Sequence, residues 1–183
     1  VLRADHELSA HKGQLAVDVH GLIGVNVDQF FGIEIEEFPA QIAQVALWLV
    51  DHQMNLRVSV EFGLYFARIP LKSSPQIRHA NALRLDWNEV LPAERCSYVL
   101  GNPPFLGGKL LRTNLGDAYV DAMFRVWRDR VKPEADLCCY WFEKARRQIE
   151  LKKLQRAGLL ATQGIRGGSN RETLKRIKTD GDI

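Results

Sequence analysis

The sequence predicts an α/β fold with a doubly wound, mostly parallel sheet. Three observations carry that expectation. The apolar run Phe31-Gly32-Ile33-Glu34-Ile35 ends in acidic residues and leads into a helical stripe. A second run, Tyr98-Val99-Leu100, is followed downstream by two more helical stripes. A third, Gly158-Leu159-Leu160-Ala161-Thr162, leads into a capped helix. Strands that alternate with helices imply a parallel sheet covered on both faces. In such sheets ligands lie beyond the carboxyl ends of the strands. Glu34, Asn81, Asn102 and Thr162 are all expected near that edge.

The elements follow in order. Pro39 suits the first turn of a helix, where its missing N–H costs nothing. Ile42, Val45, Ala46 and Leu49 then recur at i, i+3, i+4 and i+7, one apolar helical stripe. Residues 56–76 hold Phe62, Leu64, Tyr65, Phe66 and Ile69 before Ser73-Ser74-Pro75, a packed excursion whose form the pattern leaves open. Residues 77–83 read as a short strand and its exit loop. Asp86 and Glu89 have the spacing of a capping pair for a brief helix. Tyr98 to Leu100 reads as a buried strand, and Leu106-Gly107-Gly108-Lys109 as a flexible, basic loop. Val120, Met123, Phe124 and Trp127 mark a helix, and Cys138, Trp141, Phe142, Ala145 and Ile149 mark another; both stripes read as core. Gly167-Gly168 gives a tight turn. Ser169 with Glu172 reads as a capping box for a last helix that carries Leu174 and Ile177. No internal repeat or low-complexity segment is present.

The chain is long enough, at 183 residues, for one domain with a substantial core. Its 46% hydrophobic and 26% charged content is that of a globular protein and excludes disorder. The first residues include Arg3, Asp5, His6 and Glu7 with no apolar h-region, so no secretory signal is expected. No stretch reaches the length of a membrane span. Cys96, Cys138 and Cys139 are odd in number and form no C-x-x-C, which argues against a disulfide framework or a zinc site and for a reducing, cytoplasmic setting. His6, His11, His20, His52 and His79 are scattered without metal-ligand spacing, so no metal is expected.

The net charge of +3 is unevenly distributed. Residues 144–178 carry Lys144, Arg146, Arg147, Lys152, Lys153, Arg156, Arg166, Arg171, Lys175, Arg176 and Lys178 against only Glu150 and Glu172. A basic face of this kind suits a polyanion such as DNA. Lys152-Lys153 by itself reads as a solvated helix face.

Gly101-Asn102-Pro103-Pro104-Phe105, directly after a strand, is the stretch with the most chemistry. An exocyclic amine on a base is a poor nucleophile because its lone pair is delocalised into the ring. Two acceptors, one for each N–H, localise that pair. Asn102 offers a side-chain carbonyl and Pro103 a backbone carbonyl. Proline fixes φ, and a residue before proline is held extended, so this backbone is stiff. Phe105 offers a flat face for an extruded base to stack on. Orientation and preorganised acceptors do the work, without a Ser, Cys or Lys nucleophile. The same tetrapeptide also fits a proline turn after a strand. A chance match has a frequency on the order of one per 10⁵ positions.

With Gly32-Ile33-Glu34-Ile35, Asn81-Ala82-Leu83 and Gly101-Asn102-Pro103-Pro104-Phe105 in this order, the chain resembles class I adenine-N6 DNA methyltransferases. It is most similar to the large single-chain bacterial restriction-modification and phage-defence enzymes. Phe31 to Asn55, Gly101 to Glu150 and Gly158 to Ile177, with Thr162-Gln163-Gly164-Ile165-Arg166-Gly167-Gly168, extend the likeness over nearly the whole chain. The resemblance implies a Rossmann-like core and methyl transfer from S-adenosylmethionine to adenine N6 of DNA, with the target adenine flipped out. It implies cofactor roles for Glu34, Ile35, Asn81, Ala82 and Asn102, with the Glu34 carboxylate on the ribose hydroxyls and Glu36 as a second candidate. Many relatives carry an acid where Asn81 stands. Asn102, Pro103, Pro104 and Phe105 take the catalytic, target-base roles, and Lys109, Arg112 and Arg166 are expected to meet DNA. A fused or associated nuclease and a specificity domain are implied partners in a parent protein.

The family's glycine-rich first loop, resembling Asp-Pro-Ala-Cys-Gly-Ser-Gly, has no counterpart between Val1 and Gln29, and Val1 to His20 resembles the helix that follows that loop. No room remains for a target-recognition domain. The expectation is an incomplete core, residues 1–183 being part of a catalytic domain. Two other readings stand beside it: a glutamine-N5 protein or guanine-N2 RNA methyltransferase, and a non-catalytic DNA-binding fragment of a truncated gene.

Overall fold

The structure, a computed structural model, describes residues 24–62, 74–151 and 154–180. The chain divides into two compact units, with the boundary between Asn81 and Ala82. The sequence readings placed on Val1 to His20, on Leu64 to Ser73 and on Lys152-Lys153 lie outside the described residues.

The first unit begins its described part with a 3-10 turn, Val27–Gln29, whose side-chain and backbone bonds with Asn26 close a capping box. Strand β1 (Phe31–Glu34) follows, then helix α1 (Glu37–Phe62) and strand β2 (Gln76–His79). β1 and β2 pair in parallel, Phe31 with Gln76 through Glu34 with His79. Pro39 lies in the first turn of α1, as its missing donor requires.

The stripe Ile42, Val45, Ala46 and Leu49 falls on one face of α1, but that face is the outer one. Ile42, Val45 and Leu49 are exposed, and with Phe38 they line a shallow apolar groove. The helix turns Ala40, Ala43, Leu47 and Asn55 inward instead. Both faces of α1 are apolar, so periodicity alone could not choose between them.

The second unit carries the larger core. Two 3-10 turns, Trp87–Glu89 and Ala93–Arg95, lead to strand β3 (Tyr98–Gly101). Asp86 caps the first turn by accepting from the Asn88 amide at 3.0 Å. After the Asn102–Gly107 loop come helices α2 (Leu111–Leu115), α3 (Asp117–Val126) and α4 (Cys138–Glu150). Strand β4 (Arg156–Leu159) and helix α5 (Arg171–Asp180) complete the unit. Leu111, Val120, Met123, Trp127, Val131, Leu137, Cys138 and Tyr140 are buried together, so both stripes read as core pack as core. Trp127 and Tyr140 meet edge to face at 5.6 Å between ring centres.

Glu143 on α4 is fully buried. Arg146 answers it with a two-pronged bond, Nε to Oε2 at 2.7 Å and Nη2 to Oε1 at 2.9 Å.

β3 and β4 are parallel, Tyr98 beside Arg156 through Gly101 beside Leu159. The carboxyl-terminal strand is therefore Arg156–Leu159 and not the expected run to Thr162. Its partner explains the early end. The Leu160 amide donates to the Gly101 carbonyl at 3.0 Å, and beyond Gly101 the neighbouring chain enters Asn102-Pro103-Pro104, which has no proline N–H to continue a ladder. β3 is not the buried strand expected either. Tyr98 is 62% and Leu100 81% exposed. Successive side chains of a strand point to opposite faces, and this pair turns one of its faces outward.

Two further expectations change. The Leu106–Lys109 segment is pinned and not flexible. The Leu137 amide donates to the Leu106 carbonyl at 2.8 Å, and Gly108 lies so close to Glu134 that a Cβ there would collide with the Glu134 carbonyl. Ser169 lies inside a 3-10 turn, Gly168–Asn170, and is not the residue that directly precedes α5; that residue is Asn170. Gly168 does supply the tight turn, at φ +54°.

Together the described residues form a mixed α/β protein with two short parallel pairs.

Candidate active site at the strand ends

Each parallel pair presents its own group of predicted site residues at its carboxyl end. In the first unit, Glu34 is the last residue of β1. Its Oε1 accepts from the Ile35 amide at 2.8 Å and from the Glu36 amide at 3.3 Å. Two backbone donors thus hold one carboxylate oxygen and fix the plane of the group. The second oxygen takes no hydrogen bond among the described residues. A carboxylate oriented this way is a fit acceptor for a vicinal diol, because both hydroxyls can donate to it. Ile35 beside it is 56% exposed. The His79 ring bonds the Ile35 carbonyl through Nε2 at 2.9 Å, which ties the ends of β1 and β2 together. Asn81 is half-buried, two residues beyond β2. Glu36 is exposed.

In the second unit, Ala82 is anchored through its backbone. Its carbonyl oxygen accepts from the Trp87 indole at 2.9 Å and from the Lys144 ammonium at 2.7 Å. Lys144 also reaches the Leu85 carbonyl and lies 5.1 Å from the Trp87 ring centre. Burial pulls the Lys144 ammonium down to about 8; Asp86 opposes that fall and Arg130 adds to it.

Asn102 follows β3 directly and is exposed, and its side-chain amide makes no hydrogen bond among the described residues. The Pro103 carbonyl is likewise unbonded there, while the Pro103 ring is buried and Pro104 is exposed. Phe105 leaves 48% of its surface to solvent. The four residues therefore present two free acceptors and an open aromatic face on a backbone anchored by a buried proline. Thr162, expected at this edge, lies three residues past β4 at the start of the turn Gln163–Arg166.

The three cations expected to meet DNA differ in their surroundings. Lys109 is exposed in the turn Gly108–Leu110, and Arg166 is exposed at the end of the turn Gln163–Arg166. Arg112 is engaged by two carboxylates, Asp117 and Asp121, each at 2.7 Å. The basic run from Lys144 is also less open than its composition implies. Lys144 points at carbonyls, Arg146 at buried Glu143, Arg147 at Glu150 (2.6 Å) and Lys175 at Glu172 (2.8 Å).

Three residues of this region have no strong sequence signal. Lys144 reads as one more basic residue, and only its position among apolar neighbours on α4 hints at an inward role. Asp136 and Asn170 lie 34 positions apart and meet only in the fold. Among the described residues, no group of His, Cys, Asp and Glu is arranged to hold a metal ion, and no helix is long and apolar enough to cross a membrane.

Comparison with known proteins gives three matches. The family described as "MmeI, DNA-methyltransferase domain" matches residues 3–180. "DNA methyltransferase A" of Bacillus subtilis (strain 168) is 44% identical over 88 residues, which is 46% of this chain and 10% of that protein. A solved structure of the Type IIL restriction-modification enzyme MmeI in complex with DNA superposes with a TM-score of 0.78 at 44% identity, covering 96% of this chain and 24% of the MmeI chain. The chain thus spans a tenth of one relative and about a quarter of the other.

Proposed function

This chain belongs to the MmeI DNA-methyltransferase domain family, and from that premise we propose that it forms the target-base part, and some of the cofactor part, of a restriction-modification enzyme that methylates adenine N6 in DNA. The methyl donor in this reading is S-adenosylmethionine, and the fold class is the doubly wound, Rossmann-like one. The observation that carries the reading is the free pair of acceptors at Asn102 and Pro103 beside the open face of Phe105.

The chemistry of the chain's own residues follows from that arrangement. A flipped adenine stacks on Phe105. The Asn102 side-chain oxygen accepts one hydrogen bond from the exocyclic amine, and the Pro103 carbonyl accepts the other. Both N–H groups are then drawn out of the ring's conjugation, and the lone pair on nitrogen localises. Because the acceptors are fixed by Pro-Pro and the buried Pro103 ring, little reorganisation accompanies the reaction. The bound donor supplies an electrophilic methyl group on a sulfonium. Glu34, oriented by the Ile35 and Glu36 amides, accepts from the ribose hydroxyls, and Ile35, Asn81 and Ala82 line the adenine of the cofactor. Lys109 and Arg166 meet DNA phosphates, as exposed cations do. Arg112 joins them only where phosphate displaces Asp117 or Asp121.

The test is transfer of labelled methyl from S-adenosylmethionine to DNA by the full-length protein, with the product digested to nucleosides. Label in N6-methyladenine is the expected result. Asn102→Ala should abolish transfer with cofactor affinity nearly unchanged. Transfer by Asn102→Ala near the wild-type rate, or label only in protein glutamine or RNA guanine, overturns the reading.

A further inference from the structure

We infer that Asn170 and Asp136 are positioning residues for the loop that carries Asn102 and Phe105, an inference that rests on the target-base reading above. Asn170 closes a reciprocal pair with Asp136. Its Oδ1 accepts from the Asp136 backbone amide at 2.7 Å, and its Nδ2 donates to Asp136 Oδ2 at 2.7 Å. The same Nδ2 donates to the Gly164 carbonyl at 3.0 Å. The Cys139 thiol approaches Asn170 Oδ1 at 3.6 Å as a weak donor. One side chain therefore ties the start of α5 to the segment before α4 and to the turn after β4.

The segment held in this way is the floor of the target-base loop. Glu134 presses against Gly108, where no side chain fits. Leu137 donates to the Leu106 carbonyl at 2.8 Å. A Cβ on Gly107 would lie 3.4 Å from Asp136 Oδ1, so the carboxylate stands close beside the loop. A Cβ on Gly164 would lie 3.3 Å from Thr162 Oγ1 and 3.6 Å from Asp136 Oδ2, so the turn after β4 closes on the same carboxylate. Asp136 is thus the shared wall of two loops at the carboxyl ends of β3 and β4, and Asn170 fixes its rotamer and its backbone. Both partners are only half-buried, and the core is complete without them. Neither residue touches the reacting atoms. They hold the end and the floor of a loop whose acceptors must be placed to within a fraction of an ångström.

The experiment uses the full-length protein and separates kcat from KM. Asn170→Ala should lower kcat at least about tenfold, since misplacement by an ångström can cost about a hundredfold. The donor KM should stay within about twofold, and base extrusion, read by 2-aminopurine fluorescence at the target, should fall with kcat. Asn170→Asp sets two carboxylates face to face and should lose at least as much. The swap Asp136→Asn with Asn170→Asp restores the reciprocal pair, with the new carboxylate accepting from the residue 136 amide and side chain, and gives up only the bond to the Gly164 carbonyl. It should recover about tenfold over Asn170→Asp alone, as coupled pairs do. Wild-type kcat and 2-aminopurine signal in Asn170→Ala overturn the inference, and so does a folded swap variant no faster than Asn170→Asp. The swap decides alone should Asn170→Ala fail to fold. The Asn102→Ala control keeps the two proposals distinct. If it abolishes transfer while Asn170→Ala does not slow it, only the positioning role fails; if it stays active, the target-base reading fails first.

Discussion

The ammonium of Lys144 donates to the carbonyl oxygen of Ala82 at 2.7 Å, across 62 residues of sequence. That bond fixes the Ala82–Trp87 segment to α4 from beneath, with Leu85 and the Trp87 ring completing the seat. It also makes the segment sensitive to pH. Burial lowers Lys144 to about 8, so the unfolded chain takes up this proton first as pH falls from the usual lysine range. The group's contribution to stability therefore falls as pH drops from about 10.5 to about 8 and is level below that. The bonds to the Ala82 and Leu85 carbonyls run the other way, since the ammonium donates them more strongly than the neutral amine does. Affinity for S-adenosylhomocysteine should weaken as pH rises through about 8. Lys144→Met should bind about tenfold more weakly at neutral pH, the loss of one hydrogen bond to a charged group, and should lack that pH-dependent step. Titration calorimetry on both proteins below and above pH 8 checks this; identical pH profiles would remove Lys144 from cofactor binding.

Phe105→Ala should weaken capture of the flipped base far more than cofactor binding. One base–aromatic stack contributes about 1–3 kcal/mol. The readout is 2-aminopurine fluorescence at the target position, measured beside cofactor affinity. An equal loss in both would argue against stacking.

Gly108→Ala should destabilise the protein by about 1–3 kcal/mol, the cost of overpacking against an unyielding neighbour. The obstacle is Glu134 backbone, which cannot rotate away as a side chain can. Gly107→Ala, whose Cβ would meet only Asp136 Oδ1 at 3.4 Å, should cost much less. Urea unfolding midpoints of the two variants test the difference.

Glu143→Gln should be destabilising by about 1–3 kcal/mol, because it takes the charge-assisted bond at 2.7 Å from an Arg146 whose side chain is only 10% exposed and leaves it the longer contact to Glu150 at 3.4 Å. The double change Glu143→Leu with Arg146→Met should recover most of the loss, since apolar groups can replace a buried ion pair at little cost. Thermal unfolding of the single and double variants gives the coupling directly. A double variant as unstable as Glu143→Gln would show that the pair has a role beyond mutual neutralisation.

Much of the candidate site was legible because its signals are local. Asn102-Pro103-Pro104-Phe105 needs only four neighbouring residues to define two acceptors and an aromatic face. The acid at the end of β1 and the Gly167-Gly168 turn are local in the same sense, and so are the stripes Val120 to Trp127 and Cys138 to Ile149. Their periodicity reflects burial because their other faces are polar.

The misreadings share one cause, which is that a partner elsewhere in the chain decides. The stripe at Ile42 faces outward because α1 is apolar on both sides and the sheet took the other one. β4 ends at Leu159 because its neighbour becomes Pro-Pro two residues later. The Leu106–Lys109 loop is pinned because Glu134 and Leu137 lie against it, and Lys144 leaves the basic face because carbonyls at Ala82 and Leu85 accept its hydrogen bonds. The sequence by itself determined which residue types stand at each strand end, and with them the chemistry available there. The tertiary structure alone decided which cations are spent on internal partners and how the Asn102–Gly107 loop is held, because those outcomes depend on contacts between residues tens of positions apart.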